Sequence, residues 1–123
     1  MKTIATTKAP AAIGPYSQGK VVGNLAFFSG QIALDPATGE VKGTTIEEQT
    51  TCICENIGEL LKEAGCTYDS VVKTTCFLAE MSDFAAFNGV YGEYFTSKPA
   101  RSCVAVRTLP RGVLVEVDAV ATV

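Results

Sequence analysis

Arg101 and Glu116 are the two side chains whose types and positions most invite chemistry in this sequence. Arg101 follows a proline-marked break at the start of an apolar run, where its rigid fork of donors suits a carboxylate. Glu116 lies between two valines in a run that reads as a strand, where glutamate is disfavoured. Each also has a plain alternative: Arg101 as an ordinary surface arginine, and Glu116 as part of a solvated strand face.

The chain contains no histidine, so the commonest general base and the commonest metal ligand are both missing. Cys103 lies two residues after Arg101, and in a strand the two side chains therefore point to the same face. A cysteine nucleophile would want a histidine partner, so we interpret the Cys103 sulfur as an apolar filler whose backbone can still bind a ligand. Cys52 and Cys54 have no further soft ligands nearby in sequence and are interpreted as packing residues rather than metal ligands.

Four further residues occupy positions that often line sites. Tyr16 lies in a loop rich in turn formers, and Ser29 and Gly30 lie where a predicted strand ends. Asn88 interrupts an aromatic stripe on a predicted helix. Taken singly, each of these is compatible with a purely structural role: a packed aromatic for Tyr16, a turn residue for Ser29 and a local hydrogen bond for Asn88.

The composition describes a globular chain of 123 residues with 47% hydrophobic residues, which fits one domain. The formal net charge is -3 and the basic residues are scattered, which speaks against a nucleic-acid partner. No apolar stretch approaches the roughly 20 residues of a membrane span, and the N-terminus lacks the apolar region of a secretory signal. Five cysteines without a paired motif indicate reduced thiols, so we expect a soluble cytoplasmic protein.

Two amphipathic helices are predicted. Thr45 with Glu48 three residues later forms a capping box, the apolar residues that follow recur at helical spacing, and Gly65 is the expected stop. Ser82 is expected to cap the second helix. Its aromatic residues share one stripe at helical spacing, namely Phe84, Phe87, Tyr91 and Phe95.

The remaining segments predict strands around these helices, after a loop-like first twenty residues. A hairpin is expected at Gly23-Asn24, and β-branched residues predict a strand over 71–78. Two more strands are expected over 102–106 and 113–123, the second with apolar odd positions and acidic residues on the other face. If these last two strands pair, Arg101 lies within a few positions of Glu116. The order predicts an α+β fold, a mixed sheet with both helices packed on one face.

Several short motifs in this order resemble the Rid family of reactive intermediate deaminases, also called the YjgF family. The resemblance covers the whole chain, so 1–123 is expected to be a single Rid-type domain. One departure is Val117, where the family more often has Ile or Met. The motifs are Gly14-Pro15-Tyr16-Ser17-Gln18, Phe28-Ser29-Gly30-Gln31, Asn88, Pro99-Ala100-Arg101-Ser102-Cys103-Val104, Leu109-Pro110 and Val115-Glu116-Val117.

The resemblance implies a chorismate-mutase-like fold and a homotrimer with a site in each cleft between subunits. It also implies hydrolysis of enamines and imines, such as 2-aminoacrylate, to 2-keto acids and ammonia, without a metal or organic cofactor. Arg101 would hold the substrate carboxylate with help from the backbone of Cys103, and Glu116 would deprotonate a water. The pocket wall would be shaped by Tyr16, Ser29 and Gly30, with Asn88 supporting it from the adjoining subunit.

Two other activities compete with the deaminase hypothesis. A non-catalytic module that binds small carboxylates would use Arg101 without needing Glu116. A ribonuclease or translation inhibitor is known among Rid relatives, but the acidic charge and the lack of a basic patch speak against it.

Overall fold

The computed structural model describes residues 1–123 and contains six strands and two α-helices. The helices are α1 (Ile46–Glu63) and α2 (Phe84–Tyr94). The strands form one mixed sheet in the order β1-β2-β3-β6-β4-β5, which confirms the predicted α+β class. They are β1 (Lys2–Ile4), β2 (Gly19–Val22), β3 (Leu25–Gln31), β4 (Val71–Leu78), β5 (Ala100–Ala105) and β6 (Val115–Thr122).

Helix α1 begins and ends where its capping residues predict. The Thr45 hydroxyl accepts the Glu48 N–H at 3.1 Å, and the Glu48 carboxylate accepts the Thr45 N–H at 3.1 Å. Gly65 follows the helix with a φ of 79°, a conformation that costs glycine little. The apolar stripe of α1 is buried in one core cluster together with residues of α2 and the sheet.

Helix α2 does not begin with the predicted serine cap. Residues Met81–Asp83 form a single turn of 3₁₀ helix, and Asp83 occupies the N-cap position without a side-chain capping bond. The Asp83 N–H bonds the carbonyl of Glu80 and the Phe84 N–H bonds that of Met81. Because backbone carbonyls already satisfy these donors, Ser82 has no capping role.

Strand β6 lies in the middle of the sheet, antiparallel to both β3 and β4. Its odd positions from Val115 to Ala121 are at most 2% exposed and face the helices, as predicted from their alternation. Its even positions, including Glu116 and Asp118, lie on the face without helices and are half-buried. Neither helix combines the length and the apolar character that a membrane span requires.

Strand β5 does not pair with β6, so the predicted pairing of the last two strands is wrong. It runs parallel to β4 with Arg101 opposite Thr74, and α2 forms the crossover that parallel strands need. One edge of β4 is taken by β6, and β5 occupies the other. The chain then returns to the sheet centre through a 3₁₀ turn in which Arg111 and Gly112 have φ of 57° and 66°.

The N-terminal segment is more ordered than its turn-rich composition suggests. Strand β1 pairs with β2, so the prediction of a loop over the first twenty residues is wrong at both ends of that segment. The Lys20 ammonium donates to the Thr3 hydroxyl across this pair at 2.7 Å. A strand of three residues is too short to produce a readable alternation, which explains why the sequence does not reveal it.

Candidate active site

A cleft of about 640 Å³ opens beside Glu116 on the face of the sheet without helices. Four of the predicted site residues line it together: Tyr16, Ser29, Gly30 and Glu116. Pro10, Ile13, Leu34, Pro36 and Pro110 are among the residues that complete its wall. A carboxylate in a largely apolar cleft is a common arrangement for a small-molecule site.

Glu116 fits in this cleft because β3 carries a bulge at Ser29 and Gly30. Phe28 pairs with Ala119 but Gln31 pairs with Val117, so β3 has one more residue than β6 across this interval. A Cβ on Gly30 would overlap the Glu116 carboxylate and lie 3.0 Å from its carboxyl carbon. The Glu116 carboxylate therefore occupies the space that a side chain at position 30 would take.

The N-terminal wall of the cleft is fixed by Gln18, a residue that the sequence analysis did not assign to the site. Gln18 is 5% exposed, and its amide nitrogen donates to the carbonyl of Pro10 at 2.7 Å. Its amide oxygen accepts the Thr6 N–H, also at 2.7 Å. The Ser29 hydroxyl donates to the Ser17 carbonyl at 2.6 Å, which ties the loop to β3. The signal for Gln18 was its place inside the motif that contains Tyr16.

The electrostatic environment of Glu116 favours its protonated form. Burial raises the pKa of Glu116 above its ordinary value, and the negative charge of Asp118 raises it further. Burial also raises the pKa of Asp118, although a hydrogen bond from Thr75 and the charge of Lys73 oppose this shift. Such a carboxylate is a stronger base when ionised than an ordinary glutamate.

Arg101 lies elsewhere, against α2. Its guanidinium carbon is 4.9 Å from the ring centroid of Tyr91, 5.5 Å from that of Phe84 and 6.0 Å from that of Phe87. One guanidinium N–H donates to the Asn88 side-chain oxygen at 2.7 Å. Asn88 thus orients Arg101 of its own chain, and its predicted support of a pocket wall on the adjoining subunit stays a prediction.

Cys103 shares the face of β5 with Arg101 and is half-buried opposite Cys76 of β4. Burial raises the pKa of the Cys103 thiol, with the Arg101 charge opposing the shift, so the thiol is not activated as a nucleophile. Cys52 and Cys54 are buried packing residues, as predicted. No three His, Cys, Asp or Glu side chains lie close enough together to hold a metal ion.

Arg101 and Glu116 lie on opposite faces of the sheet within one chain. Arg101 pairs with Thr74, which in turn pairs with Ala119 on the helix-covered face, whereas Glu116 belongs to the even positions of β6. The predicted closeness of the two side chains is therefore wrong within a chain, because it depended on direct pairing of their strands.

Arg111 is a second residue of the cleft that the sequence analysis did not single out. Its guanidinium donates to the Gly39 carbonyl at 2.7 Å and lies 3.7 Å from the Glu40 carboxylate. This contact fastens the turn of the 34–41 hairpin to the segment that leads into β6. Arg111 has a left-handed φ of 57° in the turn before β6, and no sequence pattern predicts that conformation.

The comparisons with known proteins agree with the motifs. Residues 6–123 match the family described as Endoribonuclease L-PSP. The chain is 52% identical to a proposed regulator, AldR, of Lactococcus lactis, over 100% of this chain and 98% of that protein. It is 51% identical to a 2-iminobutanoate/2-iminopropanoate deaminase of Mus musculus, over 98% of this chain and 90% of that protein.

A solved structure extends this agreement to the fold. A proposed endoribonuclease of Thermotoga maritima superposes with a TM-score of 0.97 at 48% identity, over 100% of this chain and 98% of that chain. The match with the family, the identities near one half and the shared fold all cover nearly the full length. The chain therefore belongs to the endoribonuclease L-PSP family, which is the Rid (YjgF) family that its motifs resemble.

Proposed function

We propose that this protein is a hydrolase acting on carbon–nitrogen bonds, which converts enamines and imines such as 2-aminoacrylate, 2-iminopropanoate and 2-iminobutanoate to 2-keto acids and ammonia. The observation that carries the proposal is the Arg101 guanidinium, which is held by Asn88 and keeps further donors for a substrate carboxylate. Glu116, whose pKa is raised in its cleft, supplies the base that hydration of an imine needs. The deaminase of Mus musculus, 51% identical, supports the same chemistry here.

The proposed assembly is a homotrimer in which Arg101 of one subunit meets Glu116 of the next. Its support is that the two residues occupy opposite faces of the sheet in one chain. The face that carries Glu116 also exposes Phe27 (44%) and Val104 (48%), and a second copy would bury them. A cyclic arrangement would repeat the same contact and so create equivalent clefts.

In the proposed reaction, Arg101 binds the substrate carboxylate through two parallel hydrogen bonds. The backbone N–H of Cys103 assists, and the imine carbon is thereby held near a water bound by Glu116. Glu116 takes a proton from this water while the water oxygen bonds to the carbon of the protonated imine, which gives a carbinolamine. Glu116 returns that proton to the nitrogen, and then takes the proton of the carbinolamine hydroxyl as the carbon–nitrogen bond breaks, so that ammonia leaves and the keto group forms. Tyr16, Ser29 and Gly30 form the wall that limits the space around the substrate.

The proposed setting is the cytoplasm, without a cofactor and without a nucleic-acid partner. The five cysteines are free thiols, which suits a reducing compartment. A protonated imine is electrophilic without further activation, so the reaction does not require a cofactor. A net charge of -3 gives no general attraction to phosphates, which supports leaving RNA out of the proposal.

The direct test generates the imine in the assay. A serine or threonine dehydratase supplies 2-aminoacrylate or its homologue, and a nucleophilic trap that competes with hydrolysis reports how fast the imine disappears. We expect the purified protein to accelerate the disappearance and Arg101→Ala to abolish the acceleration. The proposal is wrong if the wild-type protein leaves the rate at that of buffer, or if Arg101→Ala remains fully active.

The second test concerns which subunit supplies each residue. Arg101→Ala and Glu116→Gln proteins, each inactive alone, are unfolded together in equal amounts and refolded. For random assembly of a cyclic trimer with shared sites, about one site in four combines the intact Arg101 with the intact Glu116 and regains activity. If both residues of a site came from one chain, no activity would return.

A further inference from the structure

The guanidinium of Arg101 lies beside three aromatic rings of α2, those of Phe84, Phe87 and Tyr91. The Tyr91 ring is the nearest, with its centroid 4.9 Å from the guanidinium carbon, and the other two lie at 5.5 and 6.0 Å. Arginine over the face of an aromatic ring is stabilised by the ring quadrupole, more strongly where water is excluded. These rings therefore restrict where the charged end of Arg101 can lie.

Tyr91 is itself fixed from below by the sheet. Its hydroxyl lies 2.6 Å from the hydroxyl of Thr74, and Thr74 is fully buried on β4 directly opposite Arg101. Tyr91 is 7% exposed and packs against Phe95 at 4.6 Å between ring centroids. The Tyr91 ring therefore has one favourable orientation, because any other leaves its buried hydroxyl without the Thr74 partner.

We infer that Tyr91, fixed by Thr74, is a positioning residue that holds the guanidinium of Arg101 ready for the substrate carboxylate. The inference rests on the proposed function, since it assigns Arg101 the substrate. Asn88 takes one N–H of the guanidinium at 2.7 Å, and the ring of Tyr91, 4.9 Å from the guanidinium carbon, limits where the remaining donors can lie. The sequence pattern places Tyr91 only in the aromatic stripe of the second helix.

The effect of this contact falls on substrate binding rather than on the chemical step. A long flexible arginine must give up rotamer freedom to form a bidentate pair, and a guanidinium already fixed gives up less at binding. The carboxylate keeps its charge through hydration and collapse of the imine. Loss of its clamp therefore weakens ground state and transition state alike, which raises KM more than it lowers kcat.

Four variants separate positioning from packing. Tyr91→Leu removes the ring, and Tyr91→Phe keeps the ring but removes the bond to Thr74. Thr74→Val removes the same bond from the other side. Ile4→Val is the matched control, because Ile4 is buried on β1, at the opposite edge of the sheet from the β5 strand that carries Arg101.

We expect Tyr91→Leu to raise KM for 2-iminopropanoate about tenfold with kcat changed by less than about threefold, a tenfold change being about 1.4 kcal/mol. Tyr91→Phe and Thr74→Val each raise KM by a smaller factor, and their combination adds nothing further, because both remove one shared bond. Ile4→Val lowers the melting temperature but leaves KM unchanged. Equal KM values for Tyr91→Leu and Ile4→Val would overturn the inference.

A spectroscopic measurement tests the same contact without any turnover. In the wild-type protein we expect the aromatic rings to shift the Arg101 Nε–H resonance away from its position in a free arginine. Tyr91→Leu should return the resonance toward that position, Tyr91→Phe should retain most of the shift, and Ile4→Val should leave it in place. An unchanged resonance in Tyr91→Leu would refute the positioning role even if the protein hydrolyses imines. A wild type without hydrolase activity would instead refute the proposed function.

Discussion

The surroundings of Arg101 and of Glu116 are built by different means. Arg101 is held by side chains: three aromatic rings and one amide from a single helix contact its guanidinium. Glu116 is accommodated by backbone: a bulge in β3, a glycine without a side chain and a loop fixed by a buried glutamine surround its carboxylate. The first arrangement restrains a charge through contacts, and the second leaves open the volume that a water and a substrate need. Substrate binding by Arg101 should therefore weaken gradually as contacts are removed. Catalysis by Glu116 should instead fall sharply after small steric changes.

The largest expected effect comes from Glu116→Gln. The amide keeps the size of the side chain but cannot accept the proton from water, so we expect kcat/KM to fall by about 10²- to 10⁴-fold. Steady-state kinetics on the enzymatically generated imine measures this. Binding of a 2-keto acid, followed by calorimetry, should persist because Arg101 is intact. Full activity of Glu116→Gln would show that Glu116 is not the base, and Arg101 would then be the only functional residue of the two.

Gly30→Ala tests the backbone arrangement itself. Its Cβ would overlap the Glu116 carboxylate, and displacement of a catalytic group by about 1 Å can lower kcat about 10²-fold. Gly92→Ala is the matched control, because a Cβ there has no neighbour within 4 Å and the position is helical. Equal activities of the two variants would show that the carboxylate adapts, against the rigidity that we assign to this region.

The pH profile gives a smaller but directional test. A base must be ionised, so activity falls as the pH decreases through the pKa of Glu116, which burial and Asp118 raise. Asp118→Asn removes the neighbouring negative charge, and the acidic limb of kcat/KM should then move to lower pH. Arg101→Lys should leave this limb in place, since the substitution keeps the positive charge at that position. A limb that moves to higher pH in Asp118→Asn would contradict the electrostatic assignment.

The smallest effect is expected at the rim of the cleft. Arg111→Ala removes the bond to Gly39 and the partly exposed pair with Glu40, and such contacts stabilise by less than about 1 kcal/mol. Urea unfolding measures the loss, and Arg107→Ala serves as an exposed control. Amide hydrogen exchange in the 35–41 turn should increase in Arg111→Ala alone. Unchanged exchange would mean that the hairpin holds its position without this contact.

Local signals predicted the helices and several strands because their causes are local. The capping box at Thr45, the stop at Gly65 and the β-branched run over 71–78 all act within a few residues. The parallel pairing of β5 with β4 depends on residues far apart in the chain and was predicted wrongly. A cap by Ser82 was also wrong, since a 3₁₀ turn of the backbone takes its place.

The cleft was predictable in the residues that line it more than in its geometry. Tyr16, Ser29, Gly30 and Glu116 do line one cleft, and their motifs had identified them. The bulge that makes room for Glu116 has no sequence signal except a glycine. Glycine also occurs at turns and strand ends without a bulge, so it does not identify one. Arg101 contacts α2 rather than Glu116, because β5 pairs with β4 and not with β6. Local sequence patterns do not predict this strand order.

The central position of β6 in the sheet also constrains how the protein is made. In the sheet, strands β1 to β3 are joined to strands β4 and β5 only through residues 115–122, which the ribosome adds after both of these groups of strands. Until then, the open edges of β3 and β4 can pair with other chains, and the two halves of the sheet have no ladder between them. Glu116 and Asp118 are therefore synthesised as part of the strand that completes the sheet. A growing chain that still lacks β6 has neither a complete sheet nor the proposed base.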